Sequence, residues 1–332
     1  ELFIPEDGHM GGSFDFSQQE PRIVVHYALK LGLEGAILAS FVAYMANTIL
    51  LFIFVRKKLH GKWQKKYVKK WFKLFWVPIY RKIPGLISMS DVVIFSIITG
   101  SVVGVAYYTA ARTIGFLVFH SRSIGMGVYP KLLQGGHEKI LRDNLMIYFY
   151  VAFPIIILSI TFAKPALFAL NPIYQIAVPV VILLTLRQFI TSLNMLLFSG
   201  LQGIEKVDVD DGATVKDYLK SKLILFPTFQ MIRHGVYVVS LVIILIIIGT
   251  NTDNQIELVI YWALIGLIVE IPLFLYIVTL AGKSFTLKLN YFRILKYLIS
   301  SFVVFGIIYF IMEEFLIYNE NIIVFLPNVM IF

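Results

Sequence analysis

Ten polar side chains stand inside long apolar runs, and theirs are the residue types and spacings able to do chemistry. Arg112, His120 and Arg122 share one run, Arg187, Gln188 and Asn194 a second, and Arg233 and His234 a third. Asp91 and Glu270 are the deep acids. A charged side chain at the centre of a membrane helix costs about 2.5–3.5 kcal/mol on insertion scales, so such residues face a wet cavity or a partner. Arginine offers a planar fork of donors to phosphate oxygens and stays protonated when partly desolvated. Four arginines against two acids therefore suit an anionic group, above all a phosphate or pyrophosphate. A site for exporting cations would be dominated by acids instead.

Counted from the turn near residues 101–102, Asp91 and Arg112 are expected at similar depth on adjacent antiparallel helices. Arg233 and Glu270 match in depth across the turn near 250–256 in the same way. Each pair is open to two readings. It is a structural ion pair, or the arginine serves a ligand while the acid steadies it or carries a coupling proton or sodium ion. Arg122 lies close enough to the inner end to snorkel to the interface. His120 and His234 are expected as hydrogen-bonded residues rather than proton relays. Pro84, Pro154, Pro227 and Pro272 are among the prolines within spans, where kinks serve either motion or fixed packing. The tryptophans and tyrosines fit an interfacial belt.

The elements that must position these groups follow from composition. Of 332 residues, 58% are hydrophobic and 15% charged; a soluble domain of this length has no means of burying so much apolar surface. The class is an integral membrane protein. Cysteine is absent, which excludes disulfides, thiolate metal sites and cysteine nucleophiles. The net charge of +9 sits mostly in loops, so lipid headgroups rather than nucleic acid are the expected partners. Apolar runs long enough to span lie at 31–55, 74–100, 103–128, 144–170, 173–199, 223–249, 257–281 and 292–312. A ninth begins near Asn321. The chain starts at Glu1 without a signal-peptide pattern and stops inside an apolar run, so both ends are expected to be cut points.

Orientation comes from the segment 56–73, with nine Lys or Arg and no acid. Basic loops of this kind stay cytoplasmic. Trp63, Tyr67, Trp71 and Phe72 interleave with the lysines at helical spacing, as in an amphipathic helix on an anionic leaflet; a plain charged linker is the other reading. With 56–82 inside, the loops 131–143, 201–222 and 282–296 are inside too, and most of the 29 Lys and Arg fall in these segments. Outside segments carry only Arg22, Lys30 and Lys164, beside Asp253, Glu257, Glu313, Glu314 and Glu320. No Walker loop, HExxH or serine elbow is present, so neither a catalytic residue nor a cofactor or metal site is expected. Val207-Asp208-Val209-Asp210-Asp211-Gly212 lacks the closing Glu of a calcium loop and reads as solvated.

One stretch carries a likeness. Asp91-Val92-Val93-Ile94-Phe95, then Gly100, Gly104 and Tyr108-Thr109-Ala110-Ala111-Arg112, resembles the helix-turn-helix of polysaccharide flippases. These belong to the multidrug/oligosaccharidyl-lipid/polysaccharide exporter superfamily. Ala106 and Thr109 stand where the family pattern has Gly and Ser. Tyr129-Pro130-Lys131-Leu132, Phe162-Ala163-Lys164-Pro165, Leu170-Asn171-Pro172-Ile173-Tyr174 and Gly200-Leu201-Gln202-Gly203 are similar to further family turns. The resemblance spans 31–317 in outline and is specific mainly over 71–206.

It implies an all-α polytopic membrane helical bundle, the second lobe of a two-lobe, MATE-like transporter fold. Residues 1–30 would be extracytoplasmic, 31–55 the last helix of the first lobe, and 56–73 the basic cytoplasmic linker. Residues 74–281 would form the six-helix second lobe and 282–332 the terminal helix pair, its last helix truncated. The long 201–222 loop and the missing first lobe depart from the family. The implied activity moves a polyprenyl-linked oligosaccharide across the plasma membrane by alternating access. Arg112, Arg187 and Arg233 would bind the phosphate headgroup in a cationic cavity, and Asp91 and Glu270 would serve as ion pairs or coupling groups. A multidrug or metabolite antiporter of the same superfamily, a membrane glycosyltransferase or polymerase, and a non-catalytic scaffold are the competing expectations.

Overall fold

The computed structural model describes residues 32–56, 65, 68, 72, 74–133, 138–205, 207, 214–249, 254–319 and 322–331. Segment 1–30, most of the basic linker 56–73 and the acidic run 208–213 lie outside the described residues. Among those described, every regular element is helical, and six helices are long and apolar enough to cross a bilayer. The protein is an all-α polytopic membrane bundle. In lipid no water satisfies an open backbone, so each span must close its own hydrogen bonds.

The chain divides into two compact units, Glu1–Lys73 and Leu74–Phe332. In the first, helix α1 (Gly32–Val55) exposes Phe41, Leu51, Phe52 and Phe54, the all-round apolar surface of a helix in hydrocarbon. The second unit holds α2 (Trp76–Thr99), α3 (Val103–Gly115), a 3₁₀ segment Phe116–Gly127, α4 (Val128–Leu133), α5 (Glu138–Thr161) and α6 (Ala163–Leu170). A 3₁₀ turn Pro172–Ala177 then leads to α7 (Val178–Gly203), α8 (Val215–Lys220), α9 (Lys222–Gly249), α10 (Gln255–Ser284), α11 (Tyr291–Phe315) and α12 (Ile322–Val329). Helix α7 is central: α3, α4, α5, α9, α10 and the long 3₁₀ segment all pack on it. Helix α2 packs on α9, and α11 on α5.

Terminal contacts sort the helices end to end. The Thr286 N–H donates to Glu138 at 2.9 Å, joining the end of α10 to the start of α5. The Lys222 N–H donates to Glu205 at 3.2 Å, joining the start of α9 to the end of α7. At the other end of the bundle, α2 stops at Gly100 with φ 61°, a left-handed cap that glycine adopts without a side-chain clash. Helix α8 opens on Thr214, whose hydroxyl and N–H both donate to Asp217 at 2.6 and 2.8 Å. These bonds hold the Asp217 carboxyl below its ordinary range. A depressed folded-state value means the cap is present above the unfolded carboxylate range and is lost as pH falls through the folded one.

Two expected spans are interrupted. The run 103–128 is α-helical only to Gly115 and then continues as 12 residues of 3₁₀ helix. A three-residue period keeps Val118 and Ser121 buried while Leu117, His120 and Ser123 face outward. Gly115 sits where α3 meets α7, and a methyl there would lie 3.1 Å from Leu184 Cβ. The run 144–170 instead forms α5, starting at Glu138 and ending at Thr161, and a separate α6. Pro165 has no N–H to return to Thr161, and its ring clashes with that carbonyl. It is tolerated in the first turn of α6.

Because the chain has no cysteine, a single introduced thiol reports its own side. With the basic loops inside, Ser101→Cys should react with an impermeant maleimide in intact cells, and Thr286→Cys only after lysis. The opposite pattern overturns the orientation.

Candidate functional site

Glu270 on α10 is 1% exposed, and its carboxylate is met by two side chains. Arg233 on α9 forms an ion pair with it, the two side chains being 9% and 2% exposed. Asn194 on α7 donates Nδ2 to its other oxygen at 3.3 Å. The second Arg233 nitrogen, Nη2, lies 2.6 Å from His234 Nε2. A guanidinium only donates, so Nε2 accepts, and the imidazole carries its proton on Nδ1. That nitrogen and Asn194 Oδ1 are buried without a hydrogen-bond partner among the described residues.

Asp91 on α2 belongs to a second cluster, one helix pair away. Tyr237 on α9 donates to Asp91 Oδ2 at 2.8 Å and accepts from Trp262 Nε1 at 2.7 Å. The direction is fixed, because an indole nitrogen is only a donor. Trp262 on α10 is fully buried and stacks on Tyr108 of α3 at 3.7 Å and on Phe95 of α2 at 4.6 Å between centroids. Arg187 on α7 bridges the two clusters. Its guanidinium lies 4.9 Å from the Tyr237 ring centroid, reaches the Tyr108 hydroxyl at 3.5 Å and feels the charge of Glu270. Gly266 makes room for it: a methyl there would fall 2.5 Å from Arg187 Nη1.

The predicted site residues are thus separated into two sets. Arg187, Arg233, Asp91 and Glu270 are brought together in one network with two positive and two negative side chains. Arg112 is outside it. It is exposed on α3, and Asp91, the partner expected for it, is bonded to Tyr237 instead. The reason is helical phase: Tyr108 and Ala111 turn into the bundle, and Arg112 follows Thr109 and Thr113 onto the outer face. His120 is also exposed, edge-on to Phe116. Arg122, expected to snorkel, is half-buried over Phe119, 4.0 Å from the ring centroid, with Nη1 3.3 Å from Met195 Sδ. Gln188 is partly buried beside Arg187.

Tyr108, Tyr237 and Trp262 are the residues that sequence reasoning assigned to an interfacial belt and the structure places in the site. A periodicity signal existed. Trp262, Gly266 and Glu270 repeat every four residues along α10, and Arg233 and Tyr237 do the same on α9, so each set shares one helix face. No family model matches the chain, and no curated protein or solved structure matches it either.

Removing one member of a buried ion pair leaves the other charge uncompensated, typically at about 3–5 kcal/mol, whereas an apolar replacement of both is often near neutral. Glu270→Ala should therefore lower the melting temperature in detergent more than the double variant Glu270→Leu with Arg233→Met. Equal losses would mean that the pair is not what the site depends on. Tyr237→Phe, which strips the hydroxyl joining Asp91 to Trp262, should cost about 1–3 kcal/mol.

Proposed function

We propose that this protein is a flippase of the polysaccharide exporter type, moving a lipid-linked oligosaccharide from the cytoplasmic to the outer face of the plasma membrane. The observation that carries the reading is a largely polar exposed stripe, interrupted by Leu117, along α3 and the 3₁₀ segment that follows it. Thr109, Arg112, Thr113, His120 and Ser123 are all exposed along α3 and the 3₁₀ segment that follows. The exposed faces of α9 and α11 look different: Ile232, Val236, Val239 and Ile243 on one, Phe302, Val303 and Phe310 on the other. Arg112 lies about ten residues from the outer turn, roughly 15 Å at 1.5 Å per residue, which is half of a hydrocarbon layer about 30 Å thick. An arginine with no ion-pair partner among the described residues belongs, at that depth, against water or a polar cargo rather than acyl chains.

In this reading Arg112 compensates the phosphate of the cargo lipid as it passes. Arg187 and Arg233 are already engaged by aromatic rings and Glu270, so they set the shape and charge of the bundle behind the stripe. Alternating access would displace the stripe from one side to the other, and the buried acids would couple that motion to a proton or sodium ion.

A cation-coupled drug or metabolite antiporter is the second reading, and a specific observation favours it. Asp91 and Glu270 are 4% and 1% exposed and are bonded to Tyr237 and Arg233 respectively, an arrangement able to exchange a bound ion for movement of the helices. It assigns no role to an exposed Arg112.

Arg112→Ala should abolish glycan export in cells while protein level and fold are kept, and Arg112→Lys should retain part of it. The readout is protection of labelled lipid-linked glycan from an externally added glycosidase. Normal export by Arg112→Ala together with altered cation sensitivity in Asp91→Asn would select the antiporter.

A further inference from the structure

The inner end of the second unit contains a cavity of about 330 Å³ that none of the roles above uses. Arg81 of α2, Arg122 of the 3₁₀ segment, Gln202 of α7 and Gln230 of α9 line it, and among the described residues its lining includes no carboxylate. Arg81 is exposed at the cavity rim. Arg122 is half-buried, and its Nη1 contact is the thioether of Met195, a weak acceptor that leaves the positive charge unbalanced. Gln202 is only 7% exposed, yet its Nε2 has no hydrogen-bond partner among the described residues. Buried amide donors are nearly always satisfied, so this one marks the position of an acceptor. Ser199 does not supply a donor, because its hydroxyl is committed to the Met195 carbonyl at 2.8 Å.

We infer that this cavity is a binding site for a phosphate-bearing anion at the cytoplasmic end of the bundle, held by Arg81, Arg122 and the Gln202 amide. Guanidinium groups from two helices and an amide from a third present N–H donors to several oxygens at once, which a phosphate or diphosphate offers and a single carboxylate does not. The volume exceeds a lone phosphate and leaves room for a linked group. The source is either the headgroup of a membrane lipid or a soluble phosphate compound. The site rests on the flippase reading only if the source is the cargo lipid, in which case it is where the headgroup is held before it meets Arg112.

The 332-residue chain in phosphatidylcholine nanodiscs would be titrated with inorganic pyrophosphate. Separately, the purified protein would be mixed with a polyprenyl phosphate and retained lipid read by native mass spectrometry. Either probe should bind, and the double variant Arg81→Gln with Arg122→Gln should weaken it at least tenfold. Gln202→Leu, close in size but lacking the donor, should weaken it several-fold. Lipid retention without pyrophosphate binding identifies a headgroup, and binding of both identifies the phosphate alone as the determinant. Unchanged binding in the double variant, or binding of neither probe by the parent chain, overturns the site. If the double variant does not fold, Arg81→Gln alone decides, since that side chain is exposed. Loss of binding with normal glycan export overturns the proposed site's part in transport and leaves the flippase reading standing. Binding without export in cells does the reverse.

Discussion

A carboxylate with almost no solvent exposure in a membrane bundle requires a cation beside it, and Glu270 has Arg233. Much of the surrounding arrangement follows from that requirement. Arg233 must come from α9 and Asn194 from α7, so three helices are held at one depth around a single acid. Hydrocarbon offers no alternative partner, so sliding α9 against α10 by a turn would separate the pair and leave both charges unpaired. The pair acts as a register lock as much as a source of stability.

Aromatic side chains complete what the ion pair begins. Trp262 stacks on Tyr108 and Phe95 and donates to Tyr237, which in turn bonds Asp91. Helices α2, α3, α9 and α10 therefore meet around one indole. Arg187 closes the gap between this cluster and Glu270 from the central helix, in the space that Gly266 leaves open. A bundle fixed at so many points along its interior moves more readily as a body than by rearrangement of single side chains. That property suits a mechanism in which one group of helices rocks against another.

The cationic residues divide by environment. Arg187 and Arg233 are engaged inside the bundle, while Arg112 stands on an exposed polar stripe and Arg122 lines a cavity between α2, α7 and α9. A long 3₁₀ segment links the last two. Its three-residue period carries the polar stripe on through His120 and Ser123, and Arg122 lies between them on a different face. In the proposed reading, the positive charge that would meet a phosphate is carried by Arg112 and Arg122, with neutralised charge behind it.

The sequence by itself determined the class, the approximate spans and the charge bias between loops, because these depend on local apolar length and on where lysines fall. It also identified Arg233 and Glu270 as depth-matched, since depth is a count along each helix. Only the tertiary structure decided which face each residue takes. Arg112 and Tyr108 are four residues apart, yet one is exposed and the other is buried on Trp262. Four residues put them only about 40° apart around the helix, so where the packed face ends is settled by the neighbours of α3, and no count along a single helix contains that. Nor did the sequence show that Asp91 prefers a tyrosine to an arginine. That choice follows from the packing of α2 on α9, which brings the Tyr237 hydroxyl within 2.8 Å of the carboxylate while Arg112 points away.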